Sequence, residues 1–279
     1  MLRRVWLICS AALVIAAQPA AVFDAASVRP SRARPVVYGG TKGVEAPAAV
    51  FEVNGLTFTG RNLNLYALIV EAYGLKFCRP LADACPMLSG GPAWLARDVF
   101  DIQAKAPAGS PAYTTMQLRT AAAPRLQEML RNLLADRFHL KTHQERRQLP
   151  VYAFTVGTSG IRMTKGSAGA KSSVIFRPVN TPSGPQSTRV VGSNATVQDL
   201  ADLYTKFMDR PVIDMTGLSG RFDFSVEYEA DPDTTGPFAA LTSPALFQAF
   251  EQQAGLRLRA TQGPVDVLIV DSASRPGAN

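Results

Sequence analysis

The stretch "GRNLNLYAL" at residues 60–68 lies over "GSNATVQDL" at 192–200 without a gap, so that Gly60, Asn62, Leu65 and Leu68 fall on Gly192, Asn194, Val197 and Leu200. Two more correspondences follow in the same order. "VFDIQAKA" (99–106) answers "RFDFSVEY" (221–228), setting Phe100-Asp101-Ile102 over Phe222-Asp223-Phe224. "FHLKTHQERRQLPVYAFTV" (138–156) answers "LRLRATQGPVDVLIV" (256–270), with Pro150-Val151 over Pro264-Val265. Ordered self-similarity of this kind points to one unit built twice, so the fold follows from reading one copy.

Each copy opens with a short strand, "LTFTG" or "TRVVG", running into Asn62 or Asn194, whose side chain is expected to cap a helix. Leu65, Leu68, Ile69 and Ala72, and in the second copy Val197, Leu200, Leu203 and Phe207, recur at helical spacing and predict one-faced helices. In "RFDFSVEY" the apolar Phe222, Phe224, Val226 and Tyr228 alternate with Asp223, Ser225 and Glu227, the pattern of a strand buried on one face. A second helix follows: "APRLQEMLRNLLADR" in the first copy, and in the second "SPALFQAFEQQAG", with Ser243 as cap and Gly255 as stop. Each copy is then expected to close with a hairpin, the second turning at Gln262-Gly263. The expected class is α+β: two tandem copies of strand, helix, strand, strand, helix, strand, strand, with the helices on one face of a sheet.

The expected boundaries are a signal peptide at 1–20, an extended segment at 21–50, repeats at 51–156 and 188–273, a flexible linker at 157–187 and a tail at 274–279. Within the linker only "SVIFRPV" has strand character. The signal peptide rests on Arg3-Arg4, the apolar run Val5 to Ala17 and the small residues after it; the run is shorter than the roughly 20 residues a spanning helix needs. The mature chain is therefore expected to be exported, periplasmic or extracellular, with no transmembrane segment. In that compartment Cys78 and Cys85 are expected to pair as a disulfide closing a short loop. The net charge of +7 is scattered along the chain, which with export argues against nucleic acid as a partner.

Candidate chemistry is sparse. His139 and His143 are the only histidines, and on a strand they stand roughly 13 Å apart at about 3.3 Å per residue, too far to share a metal ion. His143, Glu145 and Arg147 are expected instead to form a mixed-charge surface row. "GLSG" (217–220) falls one residue short of a nucleophile elbow and joins two strands, while "GSAGAKSS" (166–173) lacks phosphate-loop spacing. Asp214-Met215-Thr216-Gly217 resembles an aspartic-protease triplet, but Met215 breaks it and the first copy has no counterpart. Trp94 stands either as a ligand-stacking ring or as a lid on the local core.

"FDAASVRPS" (23–31), "LLADRFHLKTHQERRQLPVYAFTV" (133–156), "RPVIDMTGLSGRFDFSVEY" (210–228) and "PVDVLIVDSASRP" (264–276) together resemble a soil-associated exported family of unknown function expanded in acidobacteria. The element order of each half is also similar, at the level of fold, to the short N-terminal domain of secretins and siderophore receptors. Neither resemblance brings catalytic residues or a cofactor. The expectation is a non-catalytic binding protein of the cell envelope, without cofactor or metal, docking a peptide or protein partner through a strand edge or helix face. Trp94, His143, Glu145, Arg147 and Asp214 are the candidate contacts. The alternative is an envelope hydrolase working through Asp98, Asp101, Asp214 and Asp223.

Overall fold

Alternation in the first half resolves into one antiparallel sheet. The structure, a computed structural model, describes residues 21–31, 49–75, 85–167, 169–181, 184–205, 208–229 and 244–277. Strands β1 (Ala25–Pro30), β2 (Val50–Gly55), β3 (Thr57–Asn64), β5 (Val99–Lys105) and β6 (Tyr113–Thr114) pair in the order β1-β5-β3-β2-β6. The inward positions Val28, Phe58, Phe100 and Ile102 meet helices α1 (Leu65–Tyr73) and α3 (Pro124–Phe138), which bury Leu65, Leu68, Ile69 and Ala72, and Leu126, Met129, Leu130 and Leu134. A short α2 (Thr115–Arg119) carries a capping box between Thr114 and Gln117, and its Thr115 hydroxyl accepts from the Val53 amide at 2.8 Å.

A second sheet is built from β8 (Thr164–Lys165), β9 (Ser173–Thr181), β10 (Gly184–Ala195) and β12 (Phe222–Glu229), in the order β8-β12-β10-β9. Its core gathers on α4 (Val197–Thr205) and α5 (Pro244–Ala249), the latter running on as a π-helical turn to Ala254 and stopped by Gly255 at φ 70°. Tyr204 is the hub, with Phe154, Phe176 and Phe250 around it at ring separations of 6.3, 5.4 and 5.4 Å. The Thr205 hydroxyl donates to the Ala201 carbonyl at 2.7 Å and accepts from the Val212 amide at 2.8 Å, so one side chain ends α4 and starts the next strand. "SVIFRPV" is β9, and its pairing along β10 makes that part of the 157–187 span sheet.

The closing hairpins do not form. Lys141–Val156 is a single 16-residue strand, β7, and Leu256–Ser272 a single 17-residue strand, β13. They pair with each other antiparallel, from Leu256 opposite Val156 to Ser272 opposite Lys141. The expected turn at Gln262-Gly263 is instead the middle of the ribbon, where Gly263 faces Leu149. Two short strands complete this third sheet: β4 (Leu88–Gly90) on the far end of β13, and β11 (Val212–Asp214) on the far end of β7. Pro150 and Pro264 lie in the ribbon outside the spans that β11 and β4 pair with, so their missing amides interrupt no outer ladder. The ribbon spans both cores. Leu268 and Val270 pack in the first, as does Leu140 just before β7, while Phe154, Leu256 and Leu258 pack in the second. A hairpin would have kept each strand pair within its own half, whereas the open form lets the chain's last strand complete the first core.

The helix caps also differ from expectation. Asn62 and Asn194 sit two residues early, in left-handed backbone at φ 55° and 46°. Asn64 caps α1, its side chain accepting from the Ala67 amide at 2.8 Å. Thr196 caps α4 in a reciprocal pair with Asp199, at 3.0 and 2.9 Å. Ser243, Phe207, Cys78 and the signal peptide lie outside the described residues. Cys85 is buried, with the Met87 amide at 3.3 Å from its sulfur.

Buried Glu71 stands out on α1. Burial pushes its carboxyl from the ordinary 4.5 up to about 7, against a smaller opposing pull from Arg119. The folded chain thus holds this proton more tightly than the unfolded chain. Its contribution is full below pH 4.5 and is lost as pH rises towards 7. Glu71→Gln is expected to flatten that slope and to stabilise the protein at pH 8 by up to ~3 kcal/mol, read by urea denaturation across pH. Leu268→Ala is expected to cost about 2–5 kcal/mol. Its loss of amide-exchange protection should appear first in α1 and α3, distant in sequence, and not in the adjacent α5; the reverse order would contradict the crossed ribbon.

Candidate functional site

Both sheets carry the same irregularity. Register slips between Gly60 and Leu63, and between Gly192 and Ala195, so that Arg61 and Asn62 oppose Asp101 alone, and Ser193 and Asn194 oppose Asp223 alone. The bulged amide turns out of the ladder and needs an acceptor. Asp101 supplies one to Asn62 at 3.0 Å, and Asp223 one to Asn194 at 2.6 Å. Packing favours the glycines before both bulges: a Cβ on Gly192 would lie 2.2 Å from the Phe224 ring, and one on Gly60 would lie 2.5 Å from the movable end of the Leu63 side chain. The parallel extends to the sheet edge, where the Ser31 amide donates to Val99 at 2.9 Å and the Gly166 amide to Arg221 at 2.8 Å.

The remaining carboxylates are equally committed. Asp214 accepts from the Thr216 amide at 2.8 Å and its hydroxyl at 2.7 Å, closing its own turn after β11. Asp98 holds Arg275 at 2.6 Å, and the Arg275 guanidinium lies 5.2 Å above the Trp94 ring. Trp94 meets Phe100 edge-on at 6.5 Å and packs against the first core. Its two approaches are taken by Phe100 and Arg275, which matches a lid and not an open stacking ring. His143 on β7 pairs with Asp271 on β13 at 2.7 Å, and Glu145 pairs with Arg147, two residues along β7, at 2.7 Å; His143 and Glu145 are exposed and Arg147 half-buried. His139 is not on that strand: it ends α3 in left-handed backbone, its ring 3.0 Å from the Ser274 hydroxyl. Among the described residues no group of three or more His, Cys, Asp or Glu side chains is placed to hold a metal ion. The candidate contacts Trp94, Asp214 and the β7 row are each engaged by different neighbours.

What does converge is a cleft of about 610 Å³ on the outer face of the first sheet, opposite its helices. Ser27, Gln103 and Thr59 form one cross-strand row, and Arg29, Asp101 and Arg61 the next. Ser31 closes one end, its hydroxyl hydrogen-bonded to the Asn62 side chain. Neither Arg29 nor Arg61 has an ion-pair partner among the described residues. The outward alternation of Ser27-Arg29, Thr59-Arg61 and Asp101-Gln103 was visible in the sequence. Their meeting depends on β1 pairing with β5, a contact between segments some seventy residues apart that carries no local signal.

Residues 66–273 match the model of a family described as a protein of unknown function, DUF3738. The chain belongs to the DUF3738 family. No curated protein and no solved structure matches the DUF3738 chain. The family span takes in β5 but not β1, and all but one residue of α1. Among the described residues, no helix of the DUF3738 chain is long and apolar enough to cross a membrane.

The bulge clamps generate a stability prediction. Asp223→Ala leaves the Asn194 amide without its charged acceptor and is expected to cost about 1–3 kcal/mol. Asp214→Ala, which removes only hydrogen bonds within its own turn, is expected to cost less, and thermal denaturation of both variants compares them.

Proposed function

We propose that this DUF3738 protein is an exported, non-catalytic binding protein of the cell envelope, docking a peptide or protein partner on the outer face of its first sheet. The observation that carries the reading is the cleft itself: polar side chains from three strands, two of them arginines without an ion-pair partner among the described residues, facing outward from a sheet. Its volume falls within the roughly 300–1,000 Å³ range of ligand sites. Export rests on the N-terminal residues alone.

Docking by strand addition has less support. "PVYAFTV" and "PVDVLIV" are paired with each other, and the edge strands β1 and β9 carry Arg29-Pro30 and Arg177-Pro178, residue types that discourage edge pairing. The hydrolase alternative is weakened because Asp98, Asp101, Asp214 and Asp223 are each engaged in holding the chain's own structure. We further infer that the halves descend from a duplicated unit, on the strength of the matched bulges, acceptors and edge bonds. Two tandem α+β copies would then have exchanged their last strands.

A photo-crosslinking residue at Gln103, within the cleft, tests the docking face, with one at Gln198 on the exposed side of α4 as control. Envelope extract is expected to yield a discrete adduct at position 103 and none at 198. Equal labelling at both positions, or none at either, would overturn the reading.

A further inference from the structure

The first-sheet cleft is charged in a way that its counterpart is not. Across the two bulges Arg61 corresponds to Ser193, and at the edge strand Arg29, opposite Asp101, corresponds to Thr164, opposite Asp223. The second sheet's face carries two arginines opposite each other, Arg189 and Arg177, but Glu227 holds Arg189 through two nitrogens at 2.9 and 2.6 Å, which leaves Arg177 alone there without an ion-pair partner among the described residues. Among the described residues that line the first-sheet cleft the only carboxylate is Asp101, and one of its oxygens accepts from the Asn62 amide. Two guanidiniums therefore flank a site whose single acid is already committed. Each presents a planar fork of donors suited to a carboxylate. Beside them the hydroxyls of Ser27 and Thr59 and the amide of Gln103 form a row that donates and accepts in alternation with a polar backbone.

We propose that the cleft binds an acidic extended peptide segment of a partner protein, with Arg29 and Arg61 anchoring its carboxylates and the Ser27, Thr59 and Gln103 row bonding its backbone. The proposal rests on the reading of this face as the docking site and names its ligand. The two guanidinium forks also match a phosphate group; what favours an extended peptide is the Ser27, Gln103 and Thr59 row beside them, whose donors and acceptors run across the sheet and suit a backbone. The bulge contributes directly. By opposing two residues to one it splays Arg61 away from the regular ladder while the Asp101 bond to Asn62 holds that geometry rigid.

The test titrates the full chain with a fluorescent glutamate-rich peptide of roughly eight residues, about 26 Å when extended, and with its glutamine counterpart. The glutamate peptide is expected to bind saturably and at least ~10-fold more tightly than the glutamine peptide, weakening as salt rises from roughly 50 to 200 mM. Arg29→Gln and Arg61→Gln are each expected to weaken it about 10-fold with an unchanged melting temperature, while Arg177→Gln on the second sheet leaves it intact. Equal affinity for the two peptides, indifference to both cleft substitutions, or displacement by inorganic phosphate at lower concentration than by free glutamate would overturn the acidic-peptide assignment. If that assignment fails while crosslinking at Gln103 persists, the docking face stands and only its ligand class falls.

Discussion

The antiparallel pairing of β7 with β13 is the interaction on which the rest of the molecule depends. Each strand leaves one core and ends in the other, so neither half has a complete apolar interior without the opposite end of the chain. Leu268 and Val270 join the core buried by α1, which begins some two hundred residues earlier, and by α3. Contacts of such sequence separation are entropically slow to form but, once made, bind distant segments into one cooperative body. The prolines flank the pair Leu149 and Gly263 at the ribbon's middle, where a hairpin turn would otherwise stand. Gly263 admits the Ile213 and Val151 side chains, within 2.5 and 2.8 Å of where a Cβ would lie.

The second constraint is the bulge. An extra residue in a strand frees an amide that must find an acceptor, and in both sheets an aspartate on the neighbouring strand provides it. That accounts for the pairing of Asp101 with Asp223 across the sequence correspondence more directly than catalysis does. It also accounts for Asn62 and Asn194 together, because asparagine tolerates left-handed backbone better than most residues do. The same asparagines look like helix caps in the sequence, since the true caps, Asn64 and Thr196, lie only two residues further on and have the same chemistry.

The bulge also links fold to site. Holding Asn62 fixes the neighbouring Arg61 over the sheet face, where Arg29 arrives from the edge strand. Reading single motifs directed attention to Trp94, Asp214 and the histidine strand, each of which is engaged by a neighbour in the structure. A cleft lined by polar residues from three strands leaves no motif behind. Its signal is only the polar half of an alternation that any half-exposed sheet displays.

The sequence by itself determined the main helices, the strands with one buried face, and that two stretches of the chain share the same local grammar. Those features follow from hydrophobic periodicity and from glycine, asparagine and proline acting on their own backbone, all local effects. It also placed the chain, through residues spread over most of its length, among proteins of unknown function. Only the tertiary structure decided that the last strands cross between cores, and that β1 closes the edge of the first sheet so that Arg29 meets Arg61. A hairpin and a crossed ribbon satisfy the same alternation and bury the same side chains, and nothing within either strand distinguishes them. The choice is made by which core each end of the strand completes.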